Sequence, residues 1–573
     1  MTLRELPVVD AGLLSRPTAG REAVRAPGRL AEFATEDLIL PRFHVWTLGC
    51  QMNRSDSEEM AGALLAAGCD EAPSLEAADL VVINTCAIRE AAEQKVIGRM
   101  GALERLKSAN PGLRVVLTGC AVRADNVARL PRRYPAVDLF LRPDEEPELV
   151  ARLGLTSSTA PGALRSTVAS PAMAMSDTAS SATARPAAAA FQRVGVSIAA
   201  TADHLPATRA AAVGEGRVAR GSATQAWVPI IYGCDKTCTY CIVPFSRGPE
   251  RSRPFDEVVD EARSLAERGY REVTLLGQNV NSYGHDLASD PRFAAIHGRR
   301  ELGRRLDLDG RPDIAALLRA IDGLRTADGQ PAIPRLRFIT SHPWDLTDRL
   351  IAAMAECPSV CEHLHLPVQS GDDAVLRRMG RQYTVEAYLG LVARLRAAIP
   401  DISLTTDVIV GFCGETDAHF EASLTLLRTV GYDQVFAAAF SPRPGTPAAR
   451  LADDVPAAEK RRRLNALLAV QEAIGLRRNQ RWVGRETEVL VESVQTRRGH
   501  DHVEPQNGKR GDDHAEAPAK DAAADAAATR QLTGRNRQNR LVHVEGDPRL
   551  VGQLVVARIE RAGPYALVGR LLG

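Results

Sequence analysis

The stretch GCDKTCTYC carries Cys234, Cys238 and Cys241 at spacings that bring three thiols into one short loop. A closed structural zinc site takes four ligands, so three thiolates leave one position open. A four-iron cluster held by three thiolates likewise keeps one iron free for a substrate or cofactor. Two chemistries fit: a zinc knuckle that recruits a distant fourth ligand, or an iron–sulfur centre with an open iron. A second set is spread more widely. Cys50, Cys86 and Cys120 close the runs TLGC, INTC and LTGC, each after an apolar strand-like stretch. Any one of them alone reads as core, since free cysteine behaves as a small hydrophobe. Three at the same phase of three strands point to one shared site.

Such sites need elements that bring their members together. The runs FHVWTLGC, DLVVINTC and LRVVLTGC alternate with SDSEEMAGALLAAG and IREAAEQKVIGRMGALERLK, whose apolar positions recur at helical spacing. This predicts a parallel α/β sheet over residues 42–154. The carboxyl ends of its strands converge on one crevice, where the three separated cysteines meet. Ser55 or Asp56 is expected to cap the first helix. Glycines at 49 and 119 allow a bulky group close to the backbone.

From Val228 the alternation resumes with REVTLLGQNV, LRFITSHP, EHLHLPVQSG, ISLTTDVIVGF and YDQVFAAAFS. So many strand–helix units predict a (β/α) barrel or partial barrel over 223–481. The last unit, 482–573, has period-two runs broken by Gly and Pro, and reads as a small β-barrel. Within it Arg535, Arg537 and Arg540 alternate with Asn536 and Asn539, the composition of a phosphate-contacting loop or of a solvated turn. Between these units lie a poorly ordered extension (1–41), a low-complexity insertion (155–222), and irregular insertions at about 287–312 and 497–533.

Composition sets the outer bounds. A chain of 573 residues exceeds one compact core. Its net charge of +1 excludes a global field for nucleic acid, so any basic surface is local. Ten cysteines are too few for a disulfide scaffold at this length. No signal peptide and no apolar run long enough to span a bilayer is found, and the chain is read as cytoplasmic.

The ordered series TLGCQMNRSDSE, INTCAIREAAEQKV, GCDKTCTYCIVPFSRGPERSRP, LLGQNVNSYG, LHLPVQSG, TTDVIVGFCGET and FSPRPGTPAA resembles the radical S-adenosylmethionine (SAM) methylthiotransferase family, in its tRNA-acting branch. The resemblance implies an α/β fold in three parts: an amino-terminal parallel α/β cluster domain, a radical-SAM (β/α) partial barrel and a carboxy-terminal small β-barrel (TRAM). It implies two [4Fe-4S] clusters, on Cys50, Cys86 and Cys120 and on Cys234, Cys238 and Cys241, the second binding SAM. It further implies SAM or substrate contacts from Tyr240, Gly277, Gln278, Asn279, Gln369, Ser370, Asp407 and Glu415, and RNA contacts from Arg535, Arg537 and Arg540. The implied reaction replaces hydrogen at C2 of N6-isopentenyladenosine, next to the tRNA anticodon, by a methylthio group. The partners are then the tRNA anticodon stem-loop and an electron donor such as flavodoxin or ferredoxin, with no membrane and a monomeric enzyme. Sister enzymes acting on threonylcarbamoyl-adenosine or on a ribosomal-protein aspartate share the cluster motifs. A non-catalytic iron–sulfur RNA-binding protein is the alternative of another class. In FCGET, Cys413 replaces the family's usual proline and is read as tolerated. Cys69, Cys357 and Cys361 are read as structural.

Overall fold

The computed structural model describes residues 41–86, 90–155, 218–296, 300–301, 304–305, 309–494 and 530–572. Most of the 1–41 extension and of the 155–222 and 497–533 insertions lies outside the described residues, as does part of 287–312.

The first unit is a parallel sheet of β1 (Arg42–Leu48), β2 (Asp70–Glu71), β3 (Leu80–Thr85), β4 (Arg114–Thr118) and β5 (Leu139–Phe140), in the order β2-β1-β3-β4-β5. Every residue of β3 is buried, as an apolar run at the centre of a parallel sheet must be. Its side chains alternate between two cores. Leu80 and Val82 pack with Met60 and Leu64 of helix α1 (Gln51–Ala66), while Val81 and Ile83 pack with Val96 and Leu103 of helix α2 (Glu90–Ala109). The expected cap is displaced. Helix α1 starts at Gln51 with Cys50 in the N-cap position, so Ser55 and Asp56 are buried inside it. The cause is the turn at Gly49, which feeds β1 into the helix within two residues.

The second unit contains β6 (Gln225–Pro229), a hairpin of β7 (Ile231–Tyr232) and β8 (Arg251–Ser252), β9 (Glu272–Leu276), a hairpin of β10 (Arg300–Glu301) and β11 (Arg304–Arg305), β12 (Arg335–Phe338), β13 (His363–His365), β14 (Ser403–Val410) and β15 (Gln434–Ala439). Strands β6-β9-β12 and β13-β14-β15 make two parallel sheets, joined by a parallel bridge from Leu336 to Val360. Six parallel strands in chain order thus form a partial barrel, with Val228, Val273, Leu336, Leu364 and Leu404 in its core.

Helix Ala457–Gln480 leads to the third unit, where β16 (Glu486–Val494), β17 (Arg530–Asn536), β18 (Leu541–Gly546), β19 (Leu554–Ala562) and β20 (Ala566–Leu571) close in the order β16-β17-β18-β20-β19. Closure leaves no sheet edge exposed. Among the described residues no helix is long and apolar enough to cross a membrane.

The β17–β18 hairpin carries Arg535, Arg537 and Arg540. Arg537 and Arg540 are turned toward protein. Arg537 holds Glu362 (Nη2–Oε1 2.9 Å) and the carbonyls of Pro358 and Val360. Arg540 pairs with Asp433 and Asn479 and lies over the Trp482 ring. Arg535 is the most open of the three, beside Glu492 (3.6 Å) and the Asn539 carbonyl (3.1 Å). In return, buried Arg335 and Arg337 donate to the carbonyls of Arg535, Asn536 and Arg537. Arg335 opens β12, Glu362 precedes β13 and Asp433 precedes β15, so the turn sits against the amino-terminal end of the partial barrel. The acids at the strand starts neutralise Arg537 and Arg540, which sequence spacing alone presents as bare charge.

Candidate active site

Strands β1, β3 and β4 are neighbours, with Leu48 opposite Thr85 and Asn84 opposite Thr118. Cys50, Cys86 and Cys120 follow these residues, so the register brings all three to one edge of the sheet. Cys120 lies close enough to Cys50 and Cys86 for their charges to interact. Gly119 makes this approach possible: it has φ +90°, and a Cβ there would lie 2.3 Å from the Thr85 carbonyl oxygen.

A buried polar network fixes this edge. The Cys50 thiol donates to Asn53 Oδ1 (3.2 Å), Asn53 Nδ2 donates to Asn84 Oδ1 (2.7 Å), and Asn84 Nδ2 donates to the Asn53 carbonyl (2.8 Å) and Ser57 Oγ (3.1 Å). Sequence reasoning passed over Asn53 and Asn84. The available signal was polar side chains on the inner face of a helix and in the middle of an apolar strand.

The loop carrying Cys234, Cys238 and Cys241 runs from β7 to the short helix Val243–Arg247. Gly233 (φ +76°) turns the chain against the Pro249 carbonyl, where a Cβ would come to 2.0 Å. The loop is pinned from the far side of the barrel by Thr239, whose N–H donates to the Met379 carbonyl (2.9 Å) and whose hydroxyl donates to that of Arg378 (2.9 Å). Arg381, buried, places its charge near Cys238 and Cys241.

The two triplets face each other. Burial is the main cause of the raised Cys241 pKa, with Cys238 adding to it and Cys120, from the other triplet, contributing least. Buried Arg247, at the end of the helix that follows Cys241, donates its Nε–H to Cys120 Sγ (3.2 Å), and its Nη2 meets Asp56 Oδ2 at 2.6 Å. Asp56 is therefore the barrel's anchor in the first unit. Met52, Tyr232 and Leu276 form an apolar cluster across the same junction.

The donor chemistry fits thiolate-bound metal. No disulfide links any cysteine. Burial pushes the Cys120 thiol up to about 11 and Cys241 up to about 12, and raises Cys234 as well. Thiols so placed stay protonated until a cationic centre displaces the proton.

The other expected site residues divide. Gly277, Gln278 and Asn279 follow β9 at the carboxyl end of the partial barrel, and Gln278 Oε1 is buried without a hydrogen-bond partner among the described residues. Asn279 belongs to a network, donating to Asp345 Oδ2 (2.6 Å) and Ser282 Oγ (3.1 Å). Gln369 has φ +73°, and Thr340, missed in the sequence, has φ +70°. Both follow barrel strands on the carboxyl side, where strained backbone commonly accompanies function. Ser370 is buried and accepts from the Asp372 N–H (3.3 Å). Asp407, half-exposed, is 3.4 Å from His365 Nε2. Tyr240 packs against an apolar cluster of Val375, Met379, Phe412, Cys413 and Phe440, in which Cys413 is an ordinary buried member. Glu415 accepts from the Gly411 N–H (2.7 Å) and pairs with buried Arg463 (2.9 Å).

Residues 228–427 match the Radical SAM superfamily, and residues 42–142 match the Uncharacterized protein family UPF0004. The chain is 38% identical, over 92% of its length and 83% of the relative's, to the tRNA-2-methylthio-N(6)-dimethylallyladenosine synthase of Geobacillus thermodenitrificans. It is also 38% identical to the protein of that name from Moorella thermoacetica, covering 92% of this chain and 98% of the relative. Among solved structures, the radical S-adenosylmethionine methyltransferase TsrM from Kitasatospora setae is similar with TM-score 0.45 and 15% identity, covering 80% of this chain and 79% of that one. On its sequence identity and coverage, the chain belongs to the tRNA-2-methylthio-N(6)-dimethylallyladenosine synthase family.

Proposed function

We propose that the protein is a radical-SAM methylthiotransferase that adds a methylthio group to C2 of N6-isopentenyladenosine next to the anticodon of tRNA. The observation that carries this reading is the bond from Arg247, on the helix after one cysteine triplet, to Cys120 of the other, in a chain 38% identical to tRNA-2-methylthio-N(6)-dimethylallyladenosine synthases over 83% and 98% of their lengths. The C2–H bond is beyond the reach of side-chain acids and bases, so cofactors must supply the chemistry. The cofactors are SAM and two [4Fe-4S] clusters, one on Cys50, Cys86 and Cys120 and one on Cys234, Cys238 and Cys241. When bound, the second supplies the electron for reductive cleavage of SAM, and the first carries the sulfur destined for methylation and transfer.

The chain's own residues position these groups. Asn53 orients Cys50 through the Asn84 network. Arg247 and Arg381 set positive charge beside the two thiolate sets, which favours the ionised ligands. Gln278, Gln369 and Thr340 line the carboxyl end of the partial barrel, the end on which such barrels build their sites. The target base must leave its stack to reach them.

Division of the chain into residues 42–154, 223–481 and 482–573 assigns sulfur handling to the first, SAM cleavage to the second and tRNA affinity to the third. The enzyme works as a cytoplasmic monomer with a flavodoxin or ferredoxin as electron donor. Mass spectrometry of tRNA nucleosides tests the reading. A strain lacking the protein loses the methylthio nucleoside and accumulates N6-isopentenyladenosine, and the wild-type gene restores it. An unchanged nucleoside profile rejects the assignment.

A further inference from the structure

We propose that Asp235, Glu250 and His285 form a divalent-cation site next to the cysteine loop, suited to a first-row ion such as Mn2+, Fe2+ or Zn2+. One ligand atom from each of the three lies within 4.8 Å of the others. None of them belongs to either cysteine triplet, and the site stands whether or not the proposed reaction is right.

The imidazole is oriented as a ligand. His285 Nδ1 is 2.8 Å from the Ser282 carbonyl oxygen, so Nδ1–H donates there and Nε2 is the ring nitrogen that faces the two carboxylates. A metal-binding histidine is usually fixed in this way by its other nitrogen. Nε2 stands 3.5 Å from Glu250 Oε2 and 3.7 Å from Asp235 Oδ2, long for hydrogen bonds. Neighbouring ligands of an ion bound at about 2.1 Å are separated by roughly 3.0–3.5 Å, so small movements complete the shell.

The second observation comes from Glu250. Its side chain is 1% exposed, and among the described residues Oε2 has no hydrogen-bond partner, His285 Nε2 at 3.5 Å being its ion-pair neighbour. A buried carboxylate oxygen in that condition is costly, and a cation removes the cost. The rest of the residue is fixed: Oε1 is 3.5 Å from Asn279 Nδ2, and the backbone N–H donates to Asp235 Oδ1 (3.1 Å). The neighbouring cation, Lys236, is committed to Asp345 Oδ2 at 2.5 Å, while Asp286 adds a further negative charge 3.8 Å from His285 Nδ1. Asp235 is exposed and gives the ion an entry path. One imidazole with two carboxylates favours Mn2+, Fe2+ or Zn2+ over Ca2+. A bound ion ties Asp235, the residue after Cys234, to the segment that follows β9.

Mn2+ titration of the holoprotein, with its iron–sulfur sites filled and oxidised, tests the site through loss of the free-ion EPR signal. The expected result is one Mn2+ per chain, with hyperfine coupling to an imidazole nitrogen in pulsed EPR. His285→Ala and Asp235→Asn should each weaken binding at least about tenfold with iron content unchanged. Absence of Mn2+ uptake by the wild type, or a bound Mn2+ without nitrogen coupling, overturns the proposal. So does wild-type affinity in both variants, the outcome expected if His285 is simply a histidinium held by its acidic neighbours.

Discussion

Arg247 donates its Nε–H to Cys120 Sγ at 3.2 Å, from the end of the helix that follows one cysteine triplet to a member of the other. The bond joins residues 127 apart in the chain, one in each of two units, and Asp56 holds the same guanidinium at 2.6 Å. Arg247 and Asp56 side chains are 4% and 0% exposed. Removing one partner of such a pair strands the other as an uncompensated buried charge, at about 3–5 kcal/mol. Arg247→Ala should therefore lower stability by that amount in urea unfolding. It should also loosen the cluster at Cys50, Cys86 and Cys120, read as faster iron release to a chelator from the Cys234/Cys238/Cys241→Ala background.

Asn53→Ala leaves Asn84 Oδ1 buried without its donor and takes away the acceptor of the Cys50 thiol. The expected cost is about 1–3 kcal/mol, the usual penalty of an orphaned buried polar group. Asn84→Ala should cost a similar amount, and the double variant less than the sum, because both break one network.

At the other end of the barrel, Arg537→Ala breaks the Glu362 pair and two bonds to carbonyls. It should lower stability by about 1–3 kcal/mol, since the pair is only partly buried and still half-screened. The logarithmic salt slope of tRNA binding should stay at the wild-type value in a filter-binding series. A slope reduced by about one unit would return Arg537 to phosphate contact.

His363 opens β13, and burial, aided by the nearby Arg337 charge, holds its pKa well below the usual histidine value. Below about pH 6.5 the unfolded chain takes up a proton that the folded chain refuses, so this residue removes stability as pH falls through that value. The loss approaches about 1.4 kcal/mol per pH unit. His363→Gln should flatten the stability–pH profile by that slope between about pH 6 and 5 relative to wild type, measured by urea unfolding.

The strand–helix alternation was legible because buried parallel strands read as apolar runs: DLVVINTC became β3, LRVVLTGC became β4, and the cysteines after them converged as strand adjacency requires. What failed to show was pairing across the chain. Arg537 looked like a free charge because its partner Glu362 is 175 residues away. Glu415 likewise has its partner Arg463 on a later helix, 48 residues away. The expected cap at Ser55 or Asp56 followed local propensity, but a strand ending at Leu48 passed the cap position to Cys50 and left Asp56 for Arg247.

The central claim is that the two cysteine triplets hold separate clusters with separate work, and iron analysis with SAM cleavage tests it most directly. Anaerobically reconstituted wild type should bind about eight irons, and Cys234/Cys238/Cys241→Ala should bind about four. That variant should form no deoxyadenosine from SAM while methyl transfer to the remaining cluster persists. Loss of all iron in the variant, zinc in place of iron, or deoxyadenosine formed at the wild-type rate would contradict the account.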